Sequence, residues 1–330
     1  MTFVPEGIFF ELSGGLYMSR YIDKIKGVMM GHVVADALGV PVEFSDRYEL
    51  DRNPVTKMMG YGTYNVPEGS WSDDSSMAIA SLDSLCSGRV DFDDMMERFC
   101  AWFKKGEYTP HGVVFDIGNT CAFAIDNYYG GKRPATRCGD EGEYSNGNGS
   151  VMRMHPLVLY AYAKNLPSDE WIELVAQCSC LTHAHERSEI GCGIYSFILM
   201  RLLESADVES VYRGLGEAKE FYSNYAEVKH YSRLFDGSFK ELKRHEIKRS
   251  GYVVDSLEAA VWCVLNSDSY SECVLKAVNL GGDTDTVAAI AGSLAGALYG
   301  YEAIPEEWLS VIKRRDYLED MCVRAAEAWI

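Results

Sequence analysis

Gly281-Gly282-Asp283-Thr284-Asp285-Thr286 places two carboxylates two residues apart, each followed by a hydroxyl, directly before the small apolar run Val287 to Leu298. The run reads as a buried helix, so the acids stand at its N-terminus, where the helix dipole favours anions. Four hard oxygen donors in so short a loop suit a divalent cation such as Mg²⁺ or Mn²⁺. The same residues also fit plain helix capping. A second segment has the same grammar: Ser72-Asp73-Asp74-Ser75-Ser76 precedes the apolar Met77-Ala78-Ile79-Ala80. Adjacent carboxylates repel, and a cation between them relieves that cost.

Three further stretches offer chemistry. Ser145-Asn146-Gly147-Asn148-Gly149-Ser150 could present backbone N–H groups to a phosphate ahead of a following helix, although it also reads as an ordinary turn, and no P-loop pattern occurs anywhere. Thr182-His183-Ala184-His185 reads either as a helix start capped near Thr182 or as a substrate donor, His183; no H-E-x-x-H supports a zinc site. Glu43 and Asp116 are acids inside apolar loops, where burial raises a carboxyl pKa unless a cation or donor compensates.

The elements that must position these residues are helical. From Asp91 to Lys105 the apolar residues recur at three- and four-residue spacing, with Asp91 as N-cap and Gly106 as the stop. Similar patterns run through 20–38, 74–87, 113–128, 168–180, 187–204, 208–224, 255–265, 270–279, 286–299 and 318–328, and two-residue alternation is almost absent. The fold class is all-α, and loops are expected at 39–71, 130–150 and 235–250. Ala288, Gly292, Gly296 and Gly300 share one helix face and predict a central helix that another helix approaches closely.

The chain has 330 residues, 47% of them hydrophobic, and a net charge of −18. That charge argues against nucleic acid and anionic membranes as partners. The basic stretch around Lys240, Lys243, Arg244, Lys248 and Arg249 could form a local positive patch but reads better as a solvated helix face. The ten cysteines form no C-x-x-C and are expected buried and reduced. With no positively charged start before an apolar stretch, and with the longest apolar run near Val287 well short of a span, a cytoplasmic protein is expected. Residues 1–17 read as an N-terminal extension, since Met18 would also serve as a start, and 18–330 as one domain.

Taken in order, these pieces resemble the ADP-ribosylglycohydrolase family. The matching stretches are Gly31…Ala35-Asp36-Ala37-Leu38-Gly39-Val40-Pro41-Val42-Glu43-Phe44, Ser72 to Ala78, Phe115-Asp116-Ile117-Gly118-Asn119-Thr120, Gly147 to Arg153, Thr182-His183, Gly251 to Ala260, Gly281 to Thr286 and Ile304-Pro305-Glu306-Glu307-Trp308. They run from about residue 24 to 320.

The resemblance implies an all-α multi-helix array with two Mg²⁺ or Mn²⁺ ions at the bottom of a cleft. It implies one ligand set on Ser72, Asp73 and Asp74 and another on Asp283, Asp285 and Thr286. Glu43 falls on the family's acid near the metals, followed by Asp74 as the second candidate for proton transfer. Substrate contacts fall on Asp116, Gly118, Gly147, Asn148, Gly149, Ser150 and His183. The implied reaction cleaves the glycosidic bond between ADP-ribose and an acceptor, protein arginine first and serine second. A non-catalytic ADP-ribose binder or antitoxin on the same scaffold, and a two-metal phosphohydrolase, are the alternatives. Two departures stand out: Ser72 replaces the usual Thr, and His155 replaces a small or apolar residue.

Overall fold

Helix capping and apolar periodicity set most of the element boundaries. The computed structural model describes residues 6–131 and 133–330; the first five residues of the expected extension 1–17, and Lys132, lie outside it. The helices are α1 (Glu6–Gly39), α2 (Arg47–Arg52), α3 (Asp73–Leu85), α4 (Phe92–Lys105), α5 (Asn119–Tyr129), α6 (His155–Ala163), α7 (Ser168–Cys180), α8 (Glu186–Glu204), α9 (Val208–Phe221), α10 (Val253–Leu265), α11 (Tyr270–Val278), α12 (Thr284–Tyr299), α13 (Glu306–Leu309) and α14 (Arg315–Trp329). Among the described residues there is no strand, only two isolated bridges, Asp140 with His183 and Gly147 with Tyr252. In α4 the expected cap is present: Asp91 accepts from the Asp94 amide at 3.1 Å, and Gly106 closes the helix at φ 73°.

The centre of the molecule is the contact of α1 with α12. Gly27 and Gly31 face Gly292 and Gly296 so closely that a Cβ on Gly31 would lie 2.5 Å from the Gly292 carbonyl oxygen, and one on Gly296 would lie 1.9 Å from that of Gly27. Real Cβ atoms do not tolerate such distances, so only glycine permits this approach. The small face foreseen on α12 thus has a matching small face on α1. Along with α8 and α10, α12 is buried almost all round, which explains why these helices are apolar on every side rather than on one stripe.

Four expectations are corrected. The longest apolar segment is not near Val287: Met18–Val42 has the length and composition to cross a membrane, but 83% of its apolar window is buried inside the fold. A helix expected over 113–128 begins only at Asn119, leaving Asp116, Ile117 and Gly118 in the extended lead-in. The loop 39–71 contains the short α2. Helix α6 had no periodic signal because His155 to Ala161 are all buried, so no polar face marks it. All ten cysteines are free, eight of them buried.

Candidate functional site

The N-terminus of α3 is closed by two side chains. Ser72 is the N-cap; its Oγ accepts from the Asp74 amide at 3.3 Å and donates to Asp74 Oδ2 at 3.1 Å. Asp36, from the last turns of α1, accepts from the amides of Ser72 and Ser75 at 3.1 Å and from the Ser75 hydroxyl at 2.5 Å. Its charge therefore faces the positive end of α3. Asp36 was not among the site residues expected from sequence. Its signal was an acid inside an otherwise apolar helical run.

The start of α12 is built differently. Gly281 and Gly282 adopt φ of 78° and 76°, which L side chains avoid. The turn is tied by main-chain bonds from Phe44 N–H to the Gly282 carbonyl at 2.7 Å, Gly282 N–H to Ser45 at 2.9 Å and Asp283 N–H to Arg249 at 3.1 Å. Thr284 donates to the carbonyl of Gly39 at 2.8 Å, and a Cβ on Gly39 would sit 2.4 Å from Asp285 Cα. This contact brings the end of α1 onto Asp285. Thr286 donates to Asp74 Oδ2 at 3.1 Å, joining the two acidic segments.

Two groups of carboxylates result. Oxygens of Asp36, Asp74 and Asp285 lie within 4.8 Å of one another, and so do oxygens of Glu43, Asp116 and Asp285. Asp285 belongs to both. Burial pushes Asp36 up to about 6 and Glu43 up to about 8. At Glu43 a Tyr64 hydrogen bond works against burial, while Asp116 and Asp283 add to it. Asp73, Asp74 and Asp285 are raised well above the ordinary carboxylate range, by burial first and then by neighbouring carboxylates, foremost Asp116 at Asp73, Asp36 at Asp74 and Glu43 at Asp285. Among the described residues, Asp74 Oδ1, Asp285 Oδ2 and Glu43 Oε2 are buried with no hydrogen-bond donor. Unpartnered carboxylate oxygens converging from several segments are the donor set a hard divalent cation takes. The residues thus fit a metal centre, though the two triads differ from the expected ligand sets by including Asp36, Glu43 and Asp116.

Above this floor opens a cavity of about 370 Å³. One wall is the extended Asp116-Ile117-Gly118, another the Gly147-Asn148-Gly149 loop with His183, and the floor shows Glu43, Asp73, Asp283 and Thr286. The glycine loop is fixed to α12 and α10 through Asn148, whose amide donates to Asp283 Oδ2 at 2.8 Å and to Ser256 at 2.9 Å. Ten of the residues singled out from sequence therefore line one cleft.

Ser72, Asp74 and Asp285 do not line it; they lie buried beneath. Ser150 does not line it either, because its side chain is fully buried, with Ser179 at 3.0 Å and Cys192 at 3.3 Å. The cap of α8 is His185, which accepts from the Arg187 amide, and not Thr182. His155 turns away from the cleft and packs on His32, ring centroids 4.3 Å apart. Sequence reasoning missed Phe44, whose exposed ring lines the mouth, and Tyr64, whose hydroxyl serves Glu43 and Asp116. A third group with metal-ligating atoms, Glu143, His185 and Glu227, already has Arg187 bonded to both carboxylates, at 2.8 and 2.5 Å, so its charge is balanced by protein.

A sequence profile of the ADP-ribosylglycohydrolase family matches residues 18–330. The ADP-ribosylarginine hydrolase Tri1 of Serratia proteamaculans is 35% identical over 92% of this chain and 79% of its own. The ADP-ribosyl-[dinitrogen reductase] glycohydrolase of Rhodospirillum rubrum is 30% identical over 87% of this chain and 90% of its own. A solved structure described as an ADP-ribosylglycohydrolase-related protein complex superposes with a TM-score of 0.79 at 28% identity, covering 94% of this chain and all of that one.

Proposed function

The chain belongs to the ADP-ribosylglycohydrolase family, and on that premise we propose that it removes ADP-ribose from arginine side chains in a reaction that depends on two Mg²⁺ or Mn²⁺ ions. It is a hydrolase of ADP-ribose linkages. The observation that carries the metal-dependent reading is the pair of carboxylate triads sharing the buried Asp285, one closed in beneath the cleft and the other opening into it through Glu43 and Asp116. Arginine as the acceptor is supported by the Serratia relative, named as an ADP-ribosylarginine hydrolase, and by the chemistry of the cleft. Glu43, Asp116 and Asp283 give its wall and floor an acidic character that suits a guanidinium.

Asp36, Asp74 and Asp285 would hold one ion and Glu43, Asp116 and Asp285 the other, with Asp73, Asp283 and Thr286 at the edge of the set. When bound, the ions supply Lewis-acid charge beside the reacting sugar carbon. The residues of the chain do the remaining work. The Gly147 and Gly149 amides and His183 hold the pyrophosphate side of ADP-ribose, the Asn148 amide being taken by the Gly251 carbonyl at 3.0 Å, so that remote binding orients the anomeric carbon over the acids. The bond from that carbon to the guanidino nitrogen breaks through an oxocarbenium-like state. Water forms the new bond to that carbon and gives one proton to Glu43, and the guanidine nitrogen, which leaves with the electron pair of the broken bond, takes that proton up from Glu43. Glu43 is preferred to Asp74 in that role because it reaches the cleft, whereas Asp74 is closed in beneath Ser72 and Thr286.

The test is turnover of an ADP-ribosylarginine peptide with Mg²⁺ by wild type and by Glu43→Gln. The reading expects free ADP-ribose and unmodified arginine from wild type and at least about a 10²-fold slower release from the variant. Equal rates would remove Glu43 from the chemistry. Turnover by wild type unaffected by EDTA would remove the metals.

A further inference from the structure

Arg153 is a cation without an anion. It follows the glycine loop in a short 3-10 turn and is fully buried, and among the described residues no carboxylate pairs with it. Its guanidinium lies over the Phe99 ring at 4.9 Å and donates to the Cys178 carbonyl at 3.2 Å, to Cys178 Sγ at 3.5 Å and to Thr182 Oγ1 at 2.7 Å; Nε has no partner. A buried, unpaired guanidinium is costly, so its field should serve something nearby. The shortest of these bonds leads to the cleft. Thr182 Oγ1 is 2.8 Å from Nδ1 of His183, and the far edge of that imidazole borders Gly147 and Gly149 on the cleft wall.

The geometry points to Arg153 as a positioning residue that acts through Thr182 to fix His183 in the tautomer whose Nε2–H faces the cleft as a neutral donor to an anionic oxygen. The argument is one of donor inventory. A guanidinium only donates, so Thr182 Oγ1 must accept from it. The threonine then has one proton to give, and two acceptors lie within reach: Nδ1 of His183 and the sulfur of Cys121. A thiol sulfur is the weaker acceptor. A hydroxyl polarised by a guanidinium is also a better donor and a poorer acceptor than a free one. The proton therefore goes to Nδ1, and the ring proton stays on Nε2. The main chain holds the ring in place, with His183 N–H donating to Ser179 at 2.8 Å and the Ser179 hydroxyl returning to the His183 carbonyl at 2.8 Å. Burial, with the Arg153 charge beside it, depresses His183 to about 3, so it presents a fixed donor rather than a switch at neutral pH.

The assignment of an oxygen of the ADP-ribose pyrophosphate to that donor rests on the function proposed above, whereas the tautomer does not. The experiment is a long-range ¹H–¹⁵N correlation spectrum of the full chain labelled at histidine, with His183→Asn giving the assignment. The expected result is a protonated Nε2 and an unprotonated Nδ1 at His183 in wild type. Thr182→Val should shift His183 toward the other tautomer, and Thr182→Ser, which keeps the hydroxyl, should restore the wild-type pattern. The dissociation constant for ADP-ribose should rise about tenfold in Thr182→Val, the size of one lost hydrogen bond to an anion. A protonated Nδ1 in wild type, or an unchanged tautomer in a folded Thr182→Val protein, would overturn the relay whether or not the enzyme acts on arginine. Failure of wild type to bind ADP-ribose would count against the functional reading alone.

Discussion

The two acidic helix starts look alike as strings of residues and differ as structures. At α3 the helix end is satisfied by protein: Ser72 caps it, and Asp36 takes the amides of Ser72 and Ser75. At α12 the N-cap residue Asp283 makes no side-chain cap bond. Its carboxylate is turned to Asn148, and the loop is shaped instead by two glycines and main-chain ties. One start is held by side chains and the other by backbone. At α12 the Thr286 amide is taken by Asp285 Oδ1 at 2.9 Å, and at each start one oxygen, Asp74 Oδ1 or Asp285 Oδ2, remains unpartnered. Acids before a helix therefore signal a binding site when a carboxylate oxygen is left over after the helix amides are served.

Removing the shared acid should break the comparison most severely. Asp285→Asn takes a ligand from both triads and is expected to lower Mg²⁺-dependent release of ADP-ribose by about 10³-fold. In EDTA at pH 8 the same change should leave the melting temperature equal or higher, because it removes a like charge from a buried cluster. A melting temperature that falls with and without metal would make Asp285 a structural residue.

Gly282→Ala tests the backbone-held start. Its Cβ would meet the Arg249 carbonyl oxygen at 2.2 Å, in a conformation alanine avoids, and a loss of about 2–3 kcal/mol in denaturant unfolding is expected, together with weaker Mn²⁺ binding by calorimetry.

Acidity tests what both starts share. Folded-state pKa values raised to about 6 at Asp36 and about 8 at Glu43 mean that the metal-free fold binds protons the unfolded chain has released. The contribution of these two groups to stability is accordingly greatest at low pH and is lost as pH rises through those values. A bound cation removes the need for these protons. The gap in stability between Mg²⁺-loaded and chelated protein should then widen from pH 6 to pH 8, by about 1.4 kcal/mol per pH unit for each proton displaced. Urea titrations at each pH would show it, and a gap that narrows would contradict the metal assignment.

The smallest effect belongs to the side-chain cap. Ser72→Ala is expected to cost about 1 kcal/mol in thermal unfolding. Most of the activity should remain if Ser72 serves α3 alone, and a loss comparable to that of Asp285→Asn would make it a ligand.

Asp73, Asp74, Asp283 and Asp285 were legible because hydroxyls and acids ahead of an apolar run are a local pattern. Asp36 was not, because its role depends on α1 meeting α12 and on which turn of α1 then faces α3, and neither is local. Ser150 was read with the glycine loop it follows, but one peptide further on the chain turns inward and the hydroxyl is enclosed by Ser179 and Cys192. His155 could not be placed from sequence because a histidine next to a glycine loop looks the same whether it faces the ligand or, as here, His32. The all-α architecture was plain from periodicity, except where a helix such as α6 is buried on every side and has no period to show.

The glycine-to-glycine seam between α1 and α12 also governs when the enzyme comes into being. Gly39 and Thr284, which set Asp36 beside Asp285, are 245 positions apart. Closing so long a loop must precede any reward from the contact, and such distant pairings are slow. A nascent chain can form α1 and α3 early, yet it lacks Asp285, the third member of each triad, until α12 has been made. On the proposed metal-dependent reading, metal affinity is expected to rise after far-UV helicity during refolding, and a chain arrested before α12 should hold no ion at this site.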